Sequence, residues 1–167
     1  YDKITLSFDQ STTTVRCGHP QVPEGTANVA YKAAALFCEA LSMDRGVGIS
    51  IEKVIPVAAG LGGGSSNAAT VLMGLNDHYG FPFNNRQLMD MGLEVGADVP
   101  FFILGNTALA RGIGDQLEPF GQMPPLSAVL VYPRLQISTK WVYEHLNLGL
   151  TNCEENYNVF WFLEDLA

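Results

Sequence analysis

The segment from Pro56 to Asn76, PVAAGLGGGSSNAATVLMGLN, joins a glycine-rich loop to an apolar run with helical spacing. Four glycines precede two serines, and the pattern that follows predicts an amphipathic helix from Ser66 to about Tyr79. The segment before it, GVGISIEKVIP, alternates apolar and other residues and predicts a strand that ends at Pro56. The apolar positions behind these two predictions are Val47, Ile49, Ile51, Ala69, Leu72, Leu75 and Tyr79.

A strand, a glycine loop and a helix in this order favour binding of a phosphate group. The first N–H groups of a helix have no partner within it, and the helix dipole adds partial positive charge there. Glycine lets an anion approach the backbone closely. The segment lacks the GK[ST] of a Walker loop, the third glycine of the dinucleotide fingerprint and the last glycine of a GxSxG elbow. A flexible connector in which Ser65 or Ser66 caps the helix remains the alternative.

The rest of the chain predicts strands interleaved with helices, which argues for an α+β fold. YDKITLSF alternates like a strand, and ANVAYKAAALFCEALS predicts a helix capped by Thr26 or Asn28. NNRQLMDMGLEVG predicts a helix between a cap at Asn84 or Asn85 and an end at Gly96. Further predictions are two strands within FFILGNTALARG that turn at Gly105 and Asn106, a strand in SAVLVYP, and a helix start within Ser138 to Leu146.

Composition and charge argue against nucleic acid as a binding partner and against a membrane-spanning role. The 167 residues carry a net charge of −8, which disfavours nucleic acid, and no apolar run is long enough to span a bilayer. Cys17, Cys38 and Cys153 lack the spacing of a zinc site, so we expect free thiols in a reducing compartment. That compartment would be the cytoplasm or an organelle stroma, such as that of a plastid. Both ends of the sequence look truncated, because a predicted strand starts close to the first residue and a stripe of apolar residues runs almost to the last.

The glycine stretch resembles a known family. PVAAGLGGGSSNAA is similar to the second motif of the GHMP kinases, and MGLEVGADVPFFILGNTALARGIGDQLEP follows at the family's spacing. The triple glycine with SSNAA resembles the branch that phosphorylates the 2-hydroxyl of CDP-linked methylerythritol in the non-mevalonate isoprenoid route. The resemblance implies a two-domain α+β fold whose amino domain contains a left-handed βαβ crossover. Residues 1–124 would form that ATP-binding domain without its first strand, and residues 125–167 would start the second domain.

The family also implies roles for single residues. Asp98, in GADVP, matches the general base, although without the family an Asp before Val99 and Pro100 is more often a turn-former. Ser66 would also lie near Mg²⁺. Asn28 and Lys53 match the adenosine pocket, with a helix cap and an exposed strand cation as their alternatives. The implied ATP site consists of Gly60, Leu61, Gly62, Gly63, Gly64, Ser65, Ser66, Asn67, Asn28 and Lys53.

The resemblance leaves part of the reaction open. Thr139 and Tyr143 match a segment that contacts the cytosine of the second substrate. The family's first motif, which carries a lysine beside the base, and its late third glycine loop have no counterpart in this sequence. Two alternatives therefore stand beside the main one: a kinase of the same family with homoserine or a mevalonate-type compound as acceptor, and a non-catalytic nucleotide-binding fragment. The oligomeric state is not predicted.

Overall fold

The computed structural model describes residues 1–121, 127–132, 141, 144 and 145. A short 3₁₀ turn, Gly25–Ala27, precedes the first helix. The strands and helices, numbered in chain order, are β1 Lys3–Gln10, β2 Thr14–Cys17, α1 Val29–Ala40, β3 Gly46–Glu52, α2 Gly63–His78, α3 Asn85–Val95, α4 Val99–Leu104, β4 Ala108–Arg111 and β5 Gln116–Pro119.

Two sheets organise the described part of the chain. The larger has the order β1-β3-β2, with β1 antiparallel and β2 parallel to β3. The parallel pair β2 and β3 is joined through α1, which gives the βαβ unit expected of the family fold, while its left hand stays a prediction. The smaller sheet is the hairpin of β4 and β5. The α+β class predicted from the sequence is confirmed.

Helices α1 and α2 pack against each other and contribute to the same buried core as the larger sheet. The predicted alternation in β3 is confirmed, because Val47, Ile49 and Ile51 are buried. Small side chains on both helices let their backbones approach closely. The buried helical positions include Ala30, Ala33, Ala34 and Phe37 of α1 and Ala68, Ala69, Val71, Leu72 and Leu75 of α2. Cys17 and Cys38 are buried free thiols, and Cys153 lies outside the described residues.

The first of the two strands predicted around Gly105 and Asn106 is a helix in the structure. Val99–Leu104 is the helix α4, with Pro100 in its first turn, and Gly105 ends it in the left-handed conformation at φ +66°. The prediction of the first strand, over FFIL, was wrong because packing of α4 against α2 and α3 outweighs the β-preference of Phe and Ile, whereas the second predicted strand is confirmed as β4. The hairpin instead joins β4 to β5 through Gly112 and Gly114, both at positive φ.

Two other predictions differ from the structure, and one agrees with it. Strand β2 was not predicted, since TVRC lies in a segment that reads as turns. Residues 127–132, within the predicted strand SAVLVYP, belong to neither strand nor helix. Trp141 and Glu144 are helical, and the N–H of His145 donates to the Trp141 carbonyl at 3.1 Å, in keeping with the predicted helix start. No helix in the described ranges has the length and hydropathy that a membrane span requires.

Candidate active site

Helix α2 starts within the glycine run, three residues before the predicted start at Ser66. Gly62 is its N-cap in the left-handed conformation, φ +64°, and the N–H of Ser66 donates to the Gly62 carbonyl at 2.8 Å. The N–H groups of Gly63, Gly64 and Ser65 thus form the first turn, where helix geometry provides no acceptor. The predicted donors for an anion are therefore in place, supplied by two of the glycines themselves.

Two of these glycines lie where a side chain does not fit. A Cβ on Gly62 would come within 2.6 Å of the Phe102 ring, and one on Gly63 within 2.8 Å of Lys53 Nζ and 3.0 Å of Ile55 Cγ2. Gly60, at φ +70°, is required by its backbone conformation rather than by space. The loop is consequently packed against α4 on one side and against the end of β3 on the other.

A cavity of about 340 Å³ opens in front of this helix start. It brings together most of the predicted ATP-site residues: Asn28, Lys53, Gly60, Leu61, Gly62, Gly63, Gly64, Ser65 and Asn67. Ser66, the predicted magnesium neighbour, does not line it. Gln21, Val22 and Pro23 form part of the facing wall and were not predicted from the sequence. A largely apolar cleft with a few convergent polar groups is the usual form of a small-molecule site.

Asn28 both caps α1 and lines the cavity. Its side-chain oxygen accepts from the N–H of Ala30 at 2.9 Å, and its Nδ2 donates to the Pro23 carbonyl at 2.7 Å. The side chain is buried, so these two bonds fix the start of α1 to the cavity wall. The structure thus confirms the helix-cap interpretation, while a direct contact to adenosine stays a prediction.

Lys53 is not an exposed strand cation, which was the alternative considered for it. Its side chain is only 6% exposed, and Nζ donates to Asp2 Oδ2 at 2.5 Å. Because Lys53 also lines the cavity beside Gly63, a buried ammonium lies directly behind the first turn of α2.

Asp2 is the site residue that sequence reasoning missed. Its Oδ1 accepts from the N–H groups of Val54 and Ile55 at 2.7 and 2.8 Å, and Asn67 donates a further side-chain hydrogen bond. Burial alone would raise the Asp2 pKa, but the bonds from Lys53, the two N–H groups and Asn67 outweigh it and lower the pKa to about 2. The carboxylate is therefore ionised at neutral pH.

A signal for this contact exists in the sequence. The order Asp2-Lys3 is acid then base, and Glu52-Lys53 repeats it. In antiparallel register, Lys3 lies opposite Glu52, so Asp2 comes opposite Lys53. Both pairs then match opposite charges, which favours antiparallel pairing of the two segments.

Asp98 lies at the other side of the loop. It is the exposed N-cap residue of α4, and its side chain makes no capping hydrogen bond. Phe102, one helical turn further on, has its ring against Gly62. Residues four apart lie on the same helix face about 6 Å from each other, so Asp98 shares the face of α4 that meets the glycine loop. Its Oδ1 would lie 3.9 Å from a Cβ on Gly114 in the β4–β5 turn.

The predicted contacts to cytosine and to Mg²⁺ both stay predictions. Thr139 and Tyr143 lie outside the described residues. Among the residues that the structure does describe, no group of three or more His, Cys, Asp or Glu side chains could hold a metal ion. A Mg²⁺ at this site would take most of its oxygens from phosphates and water, which is its usual mode in phosphoryl-transfer enzymes.

Comparison with known proteins identifies relatives of this chain. Residues 28–106 match the family described as GHMP kinases N terminal domain. The chain is 52% identical over 168 residues to a protein of Geobacter sulfurreducens named 4-diphosphocytidyl-2-C-methyl-D-erythritol kinase, covering 99% of this chain and 59% of the relative. A protein of the same name from Syntrophotalea carbinolica is 49% identical over 160 residues, covering 95% and 56%. The chain thus spans somewhat over half the length of these curated relatives.

Solved structures agree with the fold. A crystal structure of 4-(cytidine 5'-diphospho)-2C-methyl-D-erythritol kinase superimposes with a TM-score of 0.77 at 38% identity, covering 99% of this chain and 57% of that one. Homoserine kinase from Cytophaga hutchinsonii gives a TM-score of 0.52 at 19% identity, covering 63% of this chain and 34% of that one, which supports the fold alone.

Proposed function

Because residues 28–106 make this chain a member of the GHMP kinases, we propose that the protein transfers the γ-phosphoryl group of ATP to the 2-hydroxyl of 4-diphosphocytidyl-2-C-methyl-D-erythritol, with Mg²⁺. The relatives that match nearly the whole chain carry the name of that kinase. The observation that carries the proposal is the cavity in front of Gly63, which the first turn of α2 lines with N–H groups that have no acceptor within the helix.

The first turn of α2 suits a triphosphate. Three N–H groups and the helix dipole offer fixed partial positive charge, and the absent side chains of Gly62 to Gly64 leave the backbone accessible. Phosphoryl transfer depends on positioning and on stabilising charge on the phosphoryl oxygens. The glycine loop supplies both without moving a charged side chain, and bound Mg²⁺ would neutralise further charge on the phosphates.

Asp98 would act on the acceptor. Its exposed carboxylate is not used in capping α4, so it is available to accept a hydrogen bond from the acceptor hydroxyl. Taking or orienting that proton while the hydroxyl attacks phosphorus is the part of a general base. No covalent phosphoenzyme is required, because acceptor and ATP would meet between Asp98 and the glycine loop.

The proposal is tested with Asp98→Asn in the full-length protein. We expect kcat to fall by about 10²- to 10⁴-fold, the usual contribution of a general base. The dissociation constant for MgATP, measured by calorimetry, should stay within about threefold, because the phosphate donors are unchanged. Asp44→Asn is the matched control, since Asp44 is an exposed carboxylate just beyond α1, at the end opposite Asn28.

The acceptor is tested by ADP release with 4-diphosphocytidyl-2-C-methyl-D-erythritol, homoserine and mevalonate offered separately. We expect turnover with the first compound alone. Turnover with either of the others would reassign the acceptor, and ATP binding without turnover on any of them would leave a nucleotide-binding protein. Full activity in Asp98→Asn would refute the role of the carboxylate.

A further inference from the structure

The ion pair of Asp2 and Lys53 is more deeply buried than any other ion pair in the described part of the chain. The two side chains are 2% and 6% exposed, whereas each partner in the remaining pairs is more than half exposed. It lies at the back of the cavity, where Lys53 Nζ lies against Gly63. The buried pair therefore lies directly beside the proposed phosphate donors.

Stability alone is a poor explanation for such a pair. Removing two charges from water costs several kcal/mol per ion, and apolar replacements of similar volume are often neutral or stabilising. The carboxylate is nevertheless fully engaged, with two backbone N–H groups, Lys53 and Asn67 as donors. These partners come from the segment after β3 and from α2, so the carboxylate fixes both sides of the cavity floor.

We propose that Asp2 is a positioning residue for nucleotide binding: its carboxylate holds the Lys53 ammonium against Gly63, so that Lys53 faces a nucleotide from one fixed position. The inference rests on the proposed function, because it takes ATP as the ligand of the cavity. Asp2 itself touches no ligand in this arrangement. It acts through Lys53, and the N–H groups of Val54 and Ile55 hold its carboxylate in place for that contact.

The test is a double-mutant cycle with Asp2→Asn, Lys53→Met and the double variant in the full-length protein. Calorimetry with MgATP and no acceptor gives affinity, and urea unfolding gives stability. We expect each single variant to weaken ATP binding about tenfold or more. The double variant should bind no more weakly than Lys53→Met, because Asp2 acts through Lys53. Its stability should exceed that of both single variants, because neither charge is then buried alone.

Affinity and stability thus separate a positioning role from a structural one. Recovery of wild-type ATP affinity in the double variant would show that the pair is structural only, and unchanged affinity in Asp2→Asn would overturn the inference directly. In steady-state kinetics of Asp2→Asn, we expect the KM for ATP to rise while kcat changes less than threefold. The control is Lys3→Met with Glu52→Gln, the neighbouring exposed pair, which should change ATP affinity less than twofold. A wild-type protein that binds no ATP would instead refute the proposed function, and the inference with it.

Discussion

At the residue scale, Gly63 and Gly64 show that adjacent glycines in one run serve different purposes. A Cβ on Gly63 would meet Lys53 Nζ at 2.8 Å and Ile55 Cγ2 at 3.0 Å, whereas a Cβ on Gly64 would have only an ordinary contact with Val29 at 3.6 Å. The end of a lysine side chain normally moves at little cost. Here it is held by Asp2 in a buried pair, so the crowding at Gly63 cannot be relieved cheaply.

We therefore expect opposite effects on stability from the same substitution at these neighbours. Gly63→Ala should lower the free energy of unfolding by about 1–3 kcal/mol through overpacking. Gly64→Ala should raise it by about 0.5 kcal/mol, because the backbone there is helical and alanine restricts the unfolded chain. Urea denaturation of the two variants measures both values. Equal changes in the two variants would contradict this account of the loop.

At the element scale, helix α3 is defined by its capping box. The Asn84 side chain accepts from the Gln87 N–H at 3.0 Å, and the Gln87 side chain accepts from the Asn84 N–H at 3.0 Å. Asn85 is exposed, and its side chain makes no hydrogen bond within the described ranges. The sequence allowed either asparagine as the cap, and the structure selects Asn84.

The two asparagines make a matched pair for mutation. Asn84→Ala should lower the free energy of unfolding by about 1 kcal/mol, because the N–H of Gln87 loses its acceptor. Asn85→Ala should change it by less than about 0.5 kcal/mol, as is usual for an exposed position without such a contact. Thermal or urea unfolding of both variants provides the measurement. A larger loss at Asn85 than at Asn84 would show that the cap is assigned to the wrong residue.

The elements that could be predicted from the sequence are those with local signals. Alternation in β1 and β3, helical spacing in α1 and α2, and Asn84 before α3 each depend on neighbours within a few residues. Helix α4 could not be predicted in this way, because Phe101 to Leu104 prefer strands locally and become helical through packing against α2 and α3. Strand β2 is four residues long, too short for alternation to stand out.

At the scale of the whole molecule, the site is assembled from segments distant in sequence. The glycine loop and Asp98 could be recognised from motifs, and the helix that Asp98 precedes packs against the loop through Phe102 and Gly62. Asp2 belongs to no motif: its partner Lys53 is 51 residues away, and the charge order of the two segments predicts the contact only once the register of β1 against β3 is known. Folding of the sheet therefore completes the floor of the cavity.

This long-range contact predicts how global stability depends on pH. The Asp2 pKa is about 2 in the folded protein, against 3.8 for an ordinary aspartate. A lowered pKa means that the ionised carboxylate stabilises the fold at pH values above 3.8, and that this contribution is lost as the pH falls toward 2. At 1.36 kcal/mol per pKa unit, the contribution is about 2 kcal/mol. Asp2→Asn lacks the titrating group, so the wild type should lose its advantage over this variant between pH 5 and pH 2.

Urea unfolding of both proteins at half-unit steps of pH measures that advantage directly. Other carboxylates titrate alike in the two proteins, so the difference in unfolding free energy isolates Asp2. Glu52→Gln is the control, because Glu52 pairs with Lys3 at the surface and exposed pairs contribute little. A difference between wild type and Asp2→Asn that stays constant from pH 5 to pH 2 would mean that the Asp2 carboxylate is not held by Lys53 and the backbone, and the floor of the cavity would then need a different explanation.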